Sequence, residues 1–207
     1  MESIDGDRVS SFFAAGTKRI LVHLIIEQQL NLNLNIIPIE RGVSMKSIMQ
    51  WLTKPPVDGP RSVLLLRLMV GGVFFWEGVL KFVYVNQGVG RFTKLGMPFP
   101  AFTADFVGCL EIVGGLLLLS GLLTRLIAIP FVIEMIVAML STKISLYLGT
   151  SPLPLPPSPP QVGFWAVLHE IRSEYAQIMV ALYLLINGPG KWSIDALLAK
   201  LRATKTR

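Results

Sequence analysis

The sequence predicts an all-α membrane protein, a bundle of four transmembrane helices with both termini on the cytoplasmic side. Three observations predict it. Of 207 residues, 52% are hydrophobic and only 15% are charged, against roughly 25% charged in an average soluble domain. Four stretches reach the about 20 mostly apolar residues that a helix rising about 1.5 Å per residue needs to cross about 30 Å of hydrocarbon. The cations that flank those stretches concentrate at the two ends of the chain, the pattern of an inner-membrane protein with cytoplasmic termini.

The first span covers about 63–85 (VLLLRLMVGGVFFWEGVLKFVYV), the second about 102–123 and the third about 126–148. The fourth must end near Ile186, because Asn187-Gly188-Pro189-Gly190 breaks a helix. Counting back about 20 residues starts it near Val167, giving a span of about 167–186. That count draws His169, Glu170, Arg172 and Glu174 inside the span. Lys46, Lys54 and Arg61 precede the first span, Arg125 sits in the tight second-to-third link, and Lys191, Lys200, Arg202, Lys205 and Arg207 follow the fourth. The opposite side holds only Arg91, Lys94 and, near its loop, Lys143. By the positive-inside rule both ends lie inside, as a multi-pass protein of the cell (inner) membrane requires.

The net charge of +6 therefore reads as orientation rather than nucleic-acid binding, since no basic stripe is interleaved with aromatics. One cysteine, Cys109, excludes an internal disulfide and a CxxC redox pair. The loop 149–163 (GTSPLPLPPSPPQVG) carries six prolines and favours extended polyproline II, as a stiff spacer or a docking surface. Ser193 is an N-cap for a short interfacial helix over 194–201, with Trp192 at the water interface. Residues 45–207 form the membrane domain. Residues 1–44 read as an N-terminal extension, either disordered or preceding the true start at Met45: the run Ile20–Ile26 is too short to span, and no small-residue cleavage site follows it.

An ionised side chain at the bilayer centre costs about 2.5–3.5 kcal/mol even on lenient insertion scales, yet this chain places several there. Glu77 and Lys81 fall in the outward half of the first span, Glu111 near the middle of the second, Lys143 near the outer end of the third, and His169, Glu170, Arg172 and Glu174 in the outward half of the fourth. Glu134 is the exception, somewhat toward the inside. At 100° per residue Arg67, Glu77 and Lys81 share a face, and Glu77 and Lys81 have the i,i+4 spacing of a helix ion pair. Gly108, Gly114 and Gly115 flank Glu111 at three or four residues, so its face packs closely on a neighbour, while Cys109 points away. The near-balance of charge suits a buried network. Such a network either lines a polar pocket where Glu77, Glu111 or His169 exchanges protons, or only fixes helix register. Metal chemistry is not expected, because His169-Glu170 lacks the second histidine of HExxH. Pro130 frees the carbonyl of Leu126 in the third span.

The stretches LLLRLMVGGVFFWEGVLKF, FTKLGMPFP, LEIVGGLLLLSGLLTRLIAIP and GFWAVLHEIRSEYAQIMVALYLLINGPGKWSIDAL resemble the DoxX family of small four-helix membrane proteins over about 62–198. The EGxxKF and GPGxWSxD elements are the most specific. Some members resemble or accompany subunits of thiosulfate–quinone oxidoreductases, and others are described as partners in membrane redox complexes. By matching position, Arg67, Glu77, Lys81, Glu111 and Glu134 correspond to recurrent polar positions of the family; the HEIRSE segment and the proline-rich loop look like subgroup features. The resemblance implies a membrane subunit of a quinone-linked redox system, an oxidoreductase component with no redox centre of its own, working with a quinone or a redox partner protein. The alternatives are a small-solute or proton transporter, for which four helices imply an oligomer, and a non-catalytic scaffold or assembly protein.

Overall fold

The computed structural model describes residues 44–205, and every regular element among them is helical. The reading of residues 1–44 thus lies, apart from Ser44, outside the described residues. The chain divides into two units at Ile48/Met49; helix α1 (Met45–Thr53) crosses that boundary, and the architecture below belongs to the second unit. It comprises α2 (Val63–Val83), α3 (Val89–Lys94), α4 (Pro100–Ser120), α5 (Thr124–Leu148), α6 (Phe164–Glu170), α7 (Arg172–Asn187) and α8 (Ile194–Lys205).

Among the described residues three helices, α2, α4 and α5, are each long and apolar enough to cross a membrane. They fall where the hydrophobic runs predict them. The fourth segment departs from the expected uninterrupted span. It is two helices, α6 and α7, joined at Ile171, whose φ of −83° and ψ of −2° flatten the turn. Alone, the 16 residues of α7 rise only about 24 Å. The join coincides with the polar run His169–Glu174, and the Arg172 guanidinium donates to the carbonyl of His169 there.

Helix α2 packs chiefly on α4, and α5 chiefly on α7; the two pairs meet each other less extensively. The α2–α4 contact is a backbone approach. A methyl group on Gly71 would lie 2.9 Å from the Gly115 carbonyl oxygen, and one on Gly78 would lie 2.8 Å from that of Gly108. Only hydrogen fits at these crossings, as in other small-residue seams between apolar helices. Buried Phe74 of α2 stacks on Phe131 of α5 at 3.7 Å between ring centroids, joining the two pairs through a core that includes Val70, Leu118 and Leu184.

The end of the bundle that carries Trp51 and α8 is closed by a polar clamp. Arg67, 2% exposed, donates from Nε to the Leu118 carbonyl at 2.9 Å, from Nη2 to Leu119 at 2.6 Å, and from Nη1 to Pro189 and Trp192. Arg125 donates to the carbonyls of Trp51 and Ile186 and stacks 4.2 Å over the Trp51 ring. Asp195 accepts from the amides of Leu123 (3.1 Å) and Thr124 (3.4 Å), satisfying the N-terminus of α5 from a distant part of the chain. The Ser193 hydroxyl accepts from the Ala196 amide, so the expected N-cap forms, and its helix runs beyond 201 to Lys205. The GPGxWSxD element thus carries a physical task at each polar position.

Two outcomes follow from this packing. Gly78→Val drives two backbones apart, and overpacking of this kind costs about 1–3 kcal/mol; the thermal midpoint in detergent falls, while Gly72→Val, at a position facing open space, leaves it nearly unchanged. Burial pushes the Asp195 carboxyl above its ordinary 3.8, against the pull of the two amides and Arg67. A proton then binds the folded state more tightly, so this contribution to stability is full below about pH 4 and is lost as pH rises through the raised folded value. Thermal midpoints recorded from pH 4 upward lose that slope in Asp195→Asn.

Candidate functional site

At the other end the two helix pairs stand apart, and the gap between them is a cavity of about 720 Å³. Its walls are apolar: Val73 and Phe74 from α2, Phe106 and Leu110 from α4, Ile133 and Met135 from α5. Phe92, Leu95 and Met97, from α3 and the turn after it, cover the loop end. The volume falls in the roughly 300–1,000 Å³ range of small-molecule sites, which pair apolar walls with a few placed polar groups.

Those polar groups come from all three long helices and from α7. Lys81 sits in the last turn of α2, and the glycine crossing brings it across to α4. Its Nζ lies 2.6 and 2.8 Å from the two carboxylate oxygens of Glu111, with side chains 13% and 3% exposed. The i,i+4 pair expected within α2 is thus replaced by an interhelical one. Lys81 meets only the backbone carbonyl of Glu77, at 3.5 Å, and the Glu77 side chain lies exposed at the cavity wall. Glu134 of α5 lines the same cavity beside Glu111, close enough for the two carboxyls to interact, and its Oε2 is buried without a partner. Glu134, expected in the network but somewhat toward the inside, lies on the same cavity lining as Glu111. One lysine faces two carboxyls here, so the set Lys81, Glu111 and Glu134 is neutral when it holds one proton.

On the far wall Lys143 of α5 pairs with Glu174 of α7 at 3.2 Å, and Glu174 lines the cavity. Gln177, buried one turn along α7, lines it too, with an unpartnered Oε1. Sequence reading overlooked Gln177, although its i+3 spacing from Glu174 put it on the same helix face.

Other expected members fall elsewhere. Arg67 shares a face with Lys81 but precedes it by 14 positions, about 21 Å along the axis, and belongs to the clamp at the opposite end. His169 and Arg172 are exposed and do not line the cavity. Glu170 lines a second, more polar cavity of about 460 Å³ between α3, the end of α5 and the proline-rich loop. Cys109 is exposed, away from the cluster. Among the described residues no group of histidine, cysteine, aspartate or glutamate side chains could hold a metal ion.

The pair sets up a double-mutant test. Lys81→Met strands a buried carboxylate, a loss of about 3–5 kcal/mol when one partner of a buried pair is removed. Lys81→Met with Glu111→Gln recovers most of the loss. Chemical or thermal unfolding in detergent checks this, and equal destabilisation by the single and double variants would count against the pairing.

The DoxX family model matches residues 62–144. A membrane protein of Mycobacterium tuberculosis, Rv3486, described as uncharacterized, is 42% identical over 160 residues, covering 74% of this chain and 91% of that protein. CatD of Bacillus subtilis, provisionally named an oxidoreductase, is 33% identical over 81 residues, 39% of this chain and 59% of its own length. No solved structure matches.

Proposed function

The chain belongs to the DoxX family of membrane proteins, and from that premise we propose that it is the membrane subunit of a quinone-linked redox system. The observation that carries this reading is an apolar cavity ending in the Lys81–Glu111–Glu134 cluster. The provisional oxidoreductase name of CatD, similar over part of the chain, agrees with it.

The residues fit such a ligand. A quinone needs an apolar slot open to lipid and hydrogen-bonding groups at the head. Phe106 and Ile133, exposed on α4 and α5, flank the cavity on its lipid side. Glu134 Oε2 and Gln177 Oε1 are buried polar atoms still without partners. A bound quinone supplies two-electron, two-proton chemistry; the chain supplies position and protons. Glu134 holds a proton at Oε2, Lys81 offsets the carboxylate left when that proton departs, and Glu77, exposed on the same wall, passes protons to and from water. Electrons come from a partner protein, because a lone exposed Cys109 forms no dithiol.

In the same reading α6 and α7 together make the fourth crossing, and the termini face the cytoplasm of an inner membrane. Lys54, Arg61, Arg125, Lys191 and Lys200 gather at the clamped end, and the cavity then opens to the outside.

Protein purified in mild detergent tests the reading by solvent extraction and chromatography of bound quinone. The wild type carries quinone approaching one per chain and takes up a short-chain analogue saturably. Glu111→Gln with Glu134→Gln lowers occupancy about tenfold while the thermal midpoint shows folded protein, about 1.4 kcal/mol of binding. Wild-type protein with no quinone above an unrelated membrane protein, and no analogue binding, would sink the redox reading. Proton-coupled uptake into proteoliposomes would then favour transport, and activity of a partner complex indifferent to both substitutions would favour a scaffold.

A further inference from the structure

The second cavity is a site that the quinone reading does not use. It lies against the first, sharing Gln87, Arg91 and Thr142 as common wall, so the two volumes are neighbours across these three side chains. Its rim is basic: Arg91 and Lys94 from α3, and Lys143 near the end of α5. Lys143 is met by Glu174, while among the described residues no side-chain hydrogen bond or ion pair engages Arg91 or Lys94. The opposite wall is the proline-rich segment from Leu153 to Pro157, with Glu170 the one carboxylate on the lining. An uncommitted guanidinium and ammonium side by side, at the level where two spanning helices end, mark the depth of lipid headgroups rather than of hydrocarbon.

We propose that this cavity binds the headgroup of an anionic phospholipid, with the phosphate held by Arg91 and Lys94. Arg91 supplies the planar fork that suits phosphate oxygens, and Lys94 supplies a point charge. Glu170 accepts hydrogen bonds from head-group hydroxyls, which a glycerol head provides and a choline head does not. The exposed side chains of Phe106 and Ile133 offer the acyl chains of the same molecule an outer, lipid-facing surface, which leaves the first cavity to the quinone. A basic rim beside an exposed apolar surface favours an amphiphile over a free ion.

Native mass spectrometry of the full-length protein in detergent, titrated with phosphatidylglycerol or phosphatidylcholine of matched chains, tests the proposal. Phosphatidylglycerol is expected to bind at least tenfold more tightly than phosphatidylcholine, and Arg91→Gln with Lys94→Gln erases the preference, leaving the thermal midpoint without lipid unchanged. Glycerol phosphate added in excess should displace little of the lipid. Equal binding of the two lipids by the wild type, or a preference that survives the double substitution, overturns the site. Displacement by glycerol phosphate at equal concentration overturns the lipid as its occupant. Arg91 also walls the first cavity, so bound quinone is extracted from the same variant: a lost lipid preference with retained quinone separates the two sites, and Lys94→Gln alone, outside that wall, is expected to weaken the preference as well.

Discussion

The close crossing of α2 and α4 is the constraint on which the site depends. Hydrocarbon offers helices no hydrophobic reason to associate, so contact has to come from dense packing and polar bonds. Glycine at 71, 78, 108 and 115 lets the two backbones touch, and only at that separation does a lysine at the end of one helix reach a glutamate in the middle of the other. The glycines and the ion pair are thus one device. Without the near approach, Lys81 would turn toward headgroups and Glu111 would be left in an apolar surrounding.

The polar groups divide between the two ends, and the division is informative. At the clamped end Arg67 spends its guanidinium on four backbone carbonyls and Asp195 spends its carboxylate on two backbone amides. These groups close loops and helix termini that lipid cannot solvate. At the other end carboxyl and amide groups face a cavity, with oxygens of Glu134 and Gln177 left over. Buried polar groups in native proteins are nearly always satisfied. Among the described residues unpartnered buried atoms occur at both ends, Thr124 Oγ1 and Arg125 Nε at the clamp and Glu134 Oε2 and Gln177 Oε1 at the other, but only the latter two belong to residues that line the apolar cavity.

Much of this was legible in the residues. Hydrophobic length locates α2, α4 and α5 to within about three residues, close to the one or two residues by which helix boundaries differ between definitions. The glycines around Glu111 gave its packed face, and Ser193 gave the cap of α8. Depth was harder to read. Helical periodicity assigns a face but not a level, which is how Arg67 was grouped with Lys81 across most of the membrane thickness. Counting back from the Asn-Gly-Pro-Gly stop assumed a continuous fourth helix, and so placed His169 and Arg172 in the network rather than at a break in the surface. The partnership of Glu111 with Glu134 depends on how α5 rotates against α4, a tertiary fact with no trace in local spacing.

A purely structural network would be expected to saturate itself. Removing water from a charge costs several kcal/mol, and a sequence selected only for rigidity gains nothing from a second carboxyl beside Glu111. A leucine at position 134 would fill part of the cavity and strengthen the contact between α4 and α5. Instead the chain keeps a second acid, Glu134, beside Glu111 on the cavity lining, with its Oε2 buried and unpartnered. Lys81 can neutralise only one of the two acids, so the remaining charge is settled by a mobile proton rather than by a fixed side chain. A site whose neutrality rests on a proton is sensitive to whatever gives or takes one, which is the property that proton-coupled chemistry within a membrane requires.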